Sequence, residues 1–386
     1  MLRKAVRVPF AERGGMVRGL LDLATGRYPA FLFGGPIGRL LPVFHLHDVS
    51  PATLEPKLQH LAENGYRTVT SGAIERLVHD GIHPGPRTVA LCFDDAHASV
   101  WSVGAPLLRR YGFRAVTFAI PARIADAAET RATMDGPAAP AQPGLDEFVT
   151  WPELRELHAS GVVDVQCHTY SHSSIFCHDA LLGFVTPAYG ARHPLSRPLV
   201  SRQCGDAYLG PEALGAPLYL QRSRMSDALR YFDEPAARER CLAHVRTHGG
   251  AAAFARTGWA SELQVLASAP GVSETETERR RAIYDELEAG RAVLSERLRT
   301  GSIRHLCFPW GVAGTVAREA ARAVGFRTAF SERLFGLRAV QANDDPWRLM
   351  RLNGKFITRL PRRRRRLLFV SRQAHGAMPA GKRSRA

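Results

Sequence analysis

The sequence predicts an α/β fold: a parallel (β/α) barrel, distorted or seven-stranded, carrying a large insertion. Three observations support this. Short apolar runs alternate with helix-patterned stretches along most of the 386 residues, the rhythm of βα units and a parallel sheet. About seven such runs occur in one series, close to the eight of a complete barrel. The residues just beyond four of them are also chemically rich: His47, Asp94-Asp95, His168 and Pro309-Trp310. In a parallel barrel the carboxyl ends of all strands lie on one face, where active sites form. Residues far apart in the chain are therefore expected to meet.

Residues 1–40 read as an N-terminal extension. Within it, 16–33 is mildly amphipathic, suited to a helix on the outside of the domain or, alternatively, on a membrane surface. The domain proper spans 41–355. Residues 41–46 form the first strand. Ser50 and Pro51 supply the N-cap and first position of a helix over 52–63, with Leu54, Leu58 and Leu61 at helical spacing and Asn64-Gly65 as its stop. A short strand, 67–70, precedes a helix capped by Ser71 that runs to Asp80. The run from Val89 to Phe93 is continuously apolar, as a strand buried on both faces requires, and stops on Asp94-Asp95. A helix over 101–111 stops at Gly112 and a strand follows at 115–120. Residues 121–149 are a loop rich in Ala, Pro and Gly. Thr150 caps a helix over 151–159, and the strand 162–167 stops at His168-Thr169-Tyr170-Ser171-His172.

The rhythm breaks between 173 and 270. This stretch reads as an insertion capping the site, with helical segments expected around 225–231 and 236–248. A long charged helix over 275–299, strand 302–308, helix 314–323, strand 327–330 and last strand 347–352 restore the pattern. Residues 356–386 read as a basic, disordered tail.

Composition is globular, with 45% apolar residues. The net charge of +16 is drawn partly from the late run Arg359, Arg362, Arg363, Arg364, Arg365 and Arg366. No aromatic residue interleaves that run, so a nucleic-acid partner is not expected; peripheral contact with an anionic membrane would suit it better. The six cysteines include no C-x-x-C pair, which favours a reducing compartment. No apolar run follows Met1-Leu2-Arg3-Lys4 as a signal peptide would need. The expected location is the cytoplasm, or the periphery of the inner membrane face.

One carboxylate of Asp94-Asp95 with His168 and His172 makes a His-His-carboxylate set, three ligands with a vacancy for water. Zn suits it, and so do Co, Ni or Fe. Taken alone, the H-x-x-x-H spacing also fits two polar loop residues. Adjacent strand residues face opposite sides, so the two aspartates need not share a role.

The pattern resembles the polysaccharide deacetylase superfamily, which includes chitin, peptidoglycan and exopolysaccharide deacetylases. Its motif T-F-D-D-G is similar to Cys92-Phe93-Asp94-Asp95-Ala96, its H-[ST]-x-x-H to His168–His172, and its R-x-P-[YW] to Pro309-Trp310. The insertion falls between the second and third motifs. The resemblance implies Asp94 as general base, and Asp95, His168 and His172 as ligands of one divalent metal. It also implies a Trp310 backbone N–H facing the oxyanion, and Pro309 and Trp310 lining the substrate pocket.

Two departures stand out. The family's base-orienting Arg falls at Cys307, so Arg351 on the last strand is the expected substitute. The late Leu-x-His that supplies the acid is replaced by Arg351-Leu352-Asn353. The His-Asp-Val variant of exopolysaccharide deacetylases matches His47-Asp48-Val49, and His47 is assigned as general acid. His45 reads as a core histidine and His97 as a surface one. The implied activity is removal of an N-acetyl or other N-acyl group from a sugar or glycan, lipid-linked in one version. The alternatives are a deformylase or other C–N amidase, and an impaired glycan-binding pseudoenzyme.

Overall fold

The computed structural model describes residues 29–136, 147–202, 205–332 and 338–363. The expected extension up to residue 28 and the basic run from residue 364 lie outside them. The strands, in chain order, are β1 (Val43–Leu46), β2 (Arg67–Val69), β3 (Thr88–Asp95), β4 (Ala115–Ala119) and β5 (Val163–Cys167). Within the insertion lie β6 (Ser174–Phe184), β7 (Leu199–Arg202), β8 (Gly205–Tyr208), β9 (Pro217–Ser223) and β10 (Tyr231–Phe232), and just past it β11 (Val272–Ser273). The rest are β12 (His305–Cys307), β13 (Thr328–Glu332), β14 (Leu349–Met350) and β15 (Leu352–Asn353).

The main sheet runs β14-β13-β12-β5-β4-β3-β1-β15, with β2 beside β3, and its pairs are all parallel. Its two end strands, β14 and β15, are separated in the chain by Arg351 alone. The two ends of the sheet therefore meet at that residue, in a parallel sheet nearly closed into a barrel and flanked by helices.

Strand alternation fixes what faces where. All eight residues of β3 are buried. Val89, Leu91 and Phe93 belong to the large core between sheet and helices. Ala90 and Cys92 join Val116, Phe118, Cys307 and Phe330 in a second cluster, which alternation places inside the barrel, directly below Asp94.

Helix α1 (Pro51–Glu63) starts as expected, with Ser50 and Thr53 forming a capping box. Helix α2 (Ser71–Asp80) begins one residue early, with Thr70 as its N-cap. The reason is tertiary: the Ser71 backbone N–H and hydroxyl both donate to Asp164 on β5. The helix expected over 101–111 is a π turn, Val100–Gly104, that runs into α3 (Ala105–Tyr111). Helix α4 (Trp151–Ala159) lies where expected.

The insertion differs from expectation. Residues 225–231 are not a helix. A single 3₁₀ turn, Arg224–Ser226, leads to the strand β10. Strands β6 and β9 pair antiparallel with register shifts at His178, Leu181 and Gly183, which blur the period-two pattern a sequence reading relies on. Helices α5 (Pro235–Thr247) and α6 (Trp259–Leu266) complete it, packed with Phe184 and Ala253 in one apolar cluster beside a second of Phe176, Val185, Tyr189, Val200, Tyr219 and neighbours. Helix α7 (Glu276–Leu298) then returns the chain to the barrel, and Asp227 of the insertion accepts from the Val316 and Ala317 N–H groups of α8 (Thr315–Val324).

The first residues of the tail expected from 356 are packed onto the domain. Gly354–Arg359 is a 3₁₀ turn in which Ile357 is buried. Leu360 is buried too, Tyr66 Oη donates to the Pro361 carbonyl at 2.8 Å, and Arg363 N–H donates to Asn64 Oδ1 at 2.8 Å. Two apolar residues ahead of the arginines are enough to pin this stretch. Among the described residues, no helix is long and apolar enough to cross a membrane.

Candidate active site

Asp94 follows Ala90 and Cys92 on the inner face of β3, so its carboxylate rises from the barrel interior. Arg351 meets it there. Its Nη1 donates to Asp94 Oδ1 at 2.5 Å and its Nη2 to Oδ2 at 2.7 Å, a bidentate pair. The same Nη2 lies 3.0 Å from Cys307 Sγ, and the guanidinium is flanked by the rings of Phe118 and Phe330 at 5.5 and 5.3 Å. Burial alone would push the Asp94 carboxyl up; the Arg351 guanidinium outweighs it and holds Asp94 well below the usual carboxylate range. The cation beside Asp94 thus comes from the single residue between β14 and β15, with the small Cys307 side chain leaving it room. His47, at the end of β1 and about half exposed, places Nε2 3.7 Å from Asp94 Oδ2. Its loop is tied to the loop after β3 by a Val49 N–H to Ser99 Oγ hydrogen bond at 3.0 Å.

Strict alternation would turn Asp95 away from the barrel axis. Asp95 and Ala96 instead adopt left-handed backbone, with φ of 69° and 56°, conformations that cost a non-glycine residue about 1–2 kcal/mol. Such outliers concentrate at functional sites. The turn brings Asp95 Oδ1 to 3.4 Å from His168 Nε2 and 3.7 Å from His172 Nε2. All three residues are buried, and their ligand atoms lie within 4.8 Å of one another. Asp95 Oδ1 is a buried oxygen with no hydrogen-bond partner. His168 Nδ1 donates to the Cys307 carbonyl at 2.6 Å, which fixes the ring with Nε2 turned towards Asp95. An orphaned carboxylate oxygen facing two imidazole nitrogens fits a metal ion.

The electrostatics of the trio reflect close packing. Burial would raise the Asp95 carboxyl, but His168 and His97 hold it well below its usual value. Burial, aided by the neighbouring His168, pushes the His172 imidazole down to about 3. Burial would lower His168 as well, yet Cys307 and the Asp95 carboxylate keep it well above the usual imidazole value.

The 168–172 loop is built from its surroundings. Thr169 and His172 also have positive φ, 63° and 53°. Thr169 Oγ1 accepts from the His172 N–H at 3.1 Å. Ser171 donates through N–H and hydroxyl to Glu286 Oε1 on α7, at 2.6 and 2.7 Å. Tyr208 Oη, from β8, donates to the Ser171 carbonyl. Trp310 sits at φ 56° in the turn Pro309–Gly311, its ring 4.4 Å from that of His172, and Pro309 is buried.

Every residue singled out at a strand end is therefore at one mouth of the barrel: His47, Asp94, Asp95, His168, His172, Pro309, Trp310 and Arg351. His97 corrects the sequence reading. It is not on the surface but 3% exposed, with Nε2 3.5 Å from Asp95 Oδ2. Its position two residues after Asp95 was the available signal. Glu286, Tyr208 and His193, whose ring meets His97 edge-on at 6.3 Å, went unnoticed. Their elements are remote in sequence and carry no motif.

Residues 81–189 match the sequence profile of the polysaccharide deacetylase family, a span holding the first two motifs. A poly-beta-1,6-N-acetyl-D-glucosamine N-deacetylase of Escherichia coli K12 is 28% identical over 130 residues, 33% of this chain and 19% of that protein. YxkH of Bacillus subtilis, designated a candidate polysaccharide deacetylase, is 22% identical over 140 residues, 34% of this chain and 43% of that one. The matches thus span less than half of either relative. Among solved structures, the BpsB deacetylase domain of Bordetella bronchiseptica aligns with TM-score 0.48 and 16% identity, over 83% of this chain and 99% of that one. IcaB of Ammonifex degensii gives 0.47 and 17%, over 83% and 95%. Over residues 81–189 the chain is thus similar to the polysaccharide deacetylase family.

Proposed function

We propose that the protein is a metal-dependent hydrolase that removes the N-acetyl group from an N-acetylated glycan. One observation carries the reading: a carboxylate clamped ionised by a bidentate guanidinium stands beside a buried carboxylate–imidazole–imidazole trio with an orphaned oxygen. In this reading Asp95, His168 and His172 hold a divalent ion, Zn or another that accepts imidazole and carboxylate. The ion would supply acidified water and a polarised amide carbonyl.

The chain's own groups do the rest. Asp94, kept unprotonated by Arg351, takes the proton of the attacking water. The amide C–N bond breaks, and the departing amine takes a proton from His47, on the solvent side of Asp94. A backbone N–H at Trp310 faces the oxygen that gains charge, and the indole beside His172 walls the acyl pocket. Products are acetate and a free amino sugar.

The activity for which the Escherichia coli relative is named nominates poly-β-1,6-linked N-acetylglucosamine as the first substrate to try. Protein loaded with Zn or Co should release acetate from such oligomers and retain about one ion per chain. Asp94→Asn should lose ~10³-fold or more in kcat yet keep the ion, whereas Asp95→Ala and His168→Ala should lose the ion. A chain that binds no divalent ion after loading, or an Asp94→Asn variant with wild-type turnover, would sink the reading.

A further inference from the structure

Asp95 can serve a metal only if one oxygen is kept free and aimed. Its Oδ1 faces His168 and His172 and has no hydrogen-bond partner. Its Oδ2 faces a third imidazole, the Nε2 of His97, at 3.5 Å. A carboxylate oxygen only accepts, so the proton of that contact is on His97 Nε2.

His97 is held for this contact by more than its own rotamer. It is 3% exposed. Its ring stacks on Phe148 at 5.1 Å with an interplanar angle of 16°. The backbone around it is laced to the same segment: His97 forms a bridge with Phe148, Ala98 N–H donates to the Glu147 carbonyl, and Val149 N–H to the Ala96 carbonyl. The left-handed turn at Asp95 and Ala96 brings both members of the contact together. Without it, residues 95 and 97 would sit on a continuing strand with parallel side chains and no shared target.

We infer that His97 is a positioning residue for Asp95: its Nε2–H holds Oδ2 and thereby presents Oδ1 to the metal ion. The inference rests on the reading of Asp95 as a ligand. Partners behind metal-binding carboxylates typically change affinity by about 10–100-fold when removed. Phe148 and the residues beside it thus support the metal centre, although they touch no reacting atom.

The test uses the full chain and reads Zn affinity by competition with a chromogenic chelator, with no substrate present. His97→Phe keeps the ring stack on Phe148 and loses the donor; His97→Gln keeps a donor in similar volume. The expected result is Zn binding about 10–100-fold weaker for His97→Phe, with His97→Gln recovering most of it. Thermal unfolding of both variants shows that the fold is intact. His97→Phe binding Zn as tightly as the wild type, while Asp95→Ala has lost the ion, overturns the inference and spares the ligand assignment. Asp95→Ala retaining the ion overturns both. A purely structural role for His97 would give Phe and Gln variants of equal affinity.

Discussion

Asp94 is buried, and a buried carboxylate drifts towards the protonated form, which could not act as the base proposed above. The fold answers with Arg351, whose fork covers both oxygens. The sign of the consequence follows. Arg351→Gln removes the cation and leaves burial, so the pKa of Asp94 rises. The acid limb of kcat/KM should then move to higher pH by at least about one unit, with a loss of roughly 10-fold or more near neutrality. Arg351→Lys should recover little, since an ammonium cannot span both oxygens. A pH–rate profile identical to the wild type would show that Arg351 does not tune the base. Arg351 was legible through the family resemblance: the base-orienting Arg of that pattern falls at Cys307, which cannot form an ion pair, and Arg351 stands on the strand expected over 347–352. His97 was equally close to the motif and was misread, because a lone histidine after a strand gives no hint of a left-handed turn that folds it back.

A loop with two positive-φ residues, Thr169 and His172, cannot hold two imidazoles in place alone, and helix α7 supplies the wall behind it. Gly290 of α7 lies against that loop so closely that a Cβ there would meet Tyr170 N at 2.9 Å, Cys167 Sγ at 2.9 Å and Thr169 C at 3.0 Å. Two of these atoms are backbone, so the helix or the loop must move. Gly290→Ala should cost about 1–3 kcal/mol by overpacking, read from denaturant unfolding. It should also weaken metal retention, because the displaced segment carries His168 and His172. Full metal affinity together with lost stability would mean that the loop is positioned from elsewhere. Helix α7 itself was easy to read: Thr275 and Glu278 form a capping box and the helical pattern persists to Leu298. The glycine inside it was not, since its reason is a partner more than a hundred residues away. The insertion was the least legible element, because β6 breaks its own alternation to follow β9.

At the scale of the whole molecule the barrel has two ends with different duties. The mouth carries strained turns and the ionisable trio. The opposite end is closed by α2, which crosses the first residues of several strands. Ser71 donates to Asp164 on β5, while Glu75 pairs with Arg304 at 2.7 Å and Arg327 at 3.1 Å and faces His305 Nε2 at 3.5 Å. Asp164 also accepts from Gln166 Nε2 at 2.8 Å, and Gln166 Oε1 in turn accepts from the N–H groups of Arg304 and His305. This network joins α2, β5, β12 and the start of β13 beneath the apolar layer of Cys92, Phe118 and Phe330. In barrels of this kind, the amino-terminal end serves stability and the carboxyl-terminal end serves chemistry. Asp164→Ala strips acceptors from the Ser71 N–H and hydroxyl and from the Gln166 amide, so stability should fall by about 2–4 kcal/mol. The apolar layer separates Asp164 from Asp94, so kcat and Zn affinity measured well below the lowered melting temperature should stay within about twofold of the wild type. If Asp164→Ala depresses kcat while leaving unfolding unchanged, the division between a structural floor and a catalytic mouth is wrong.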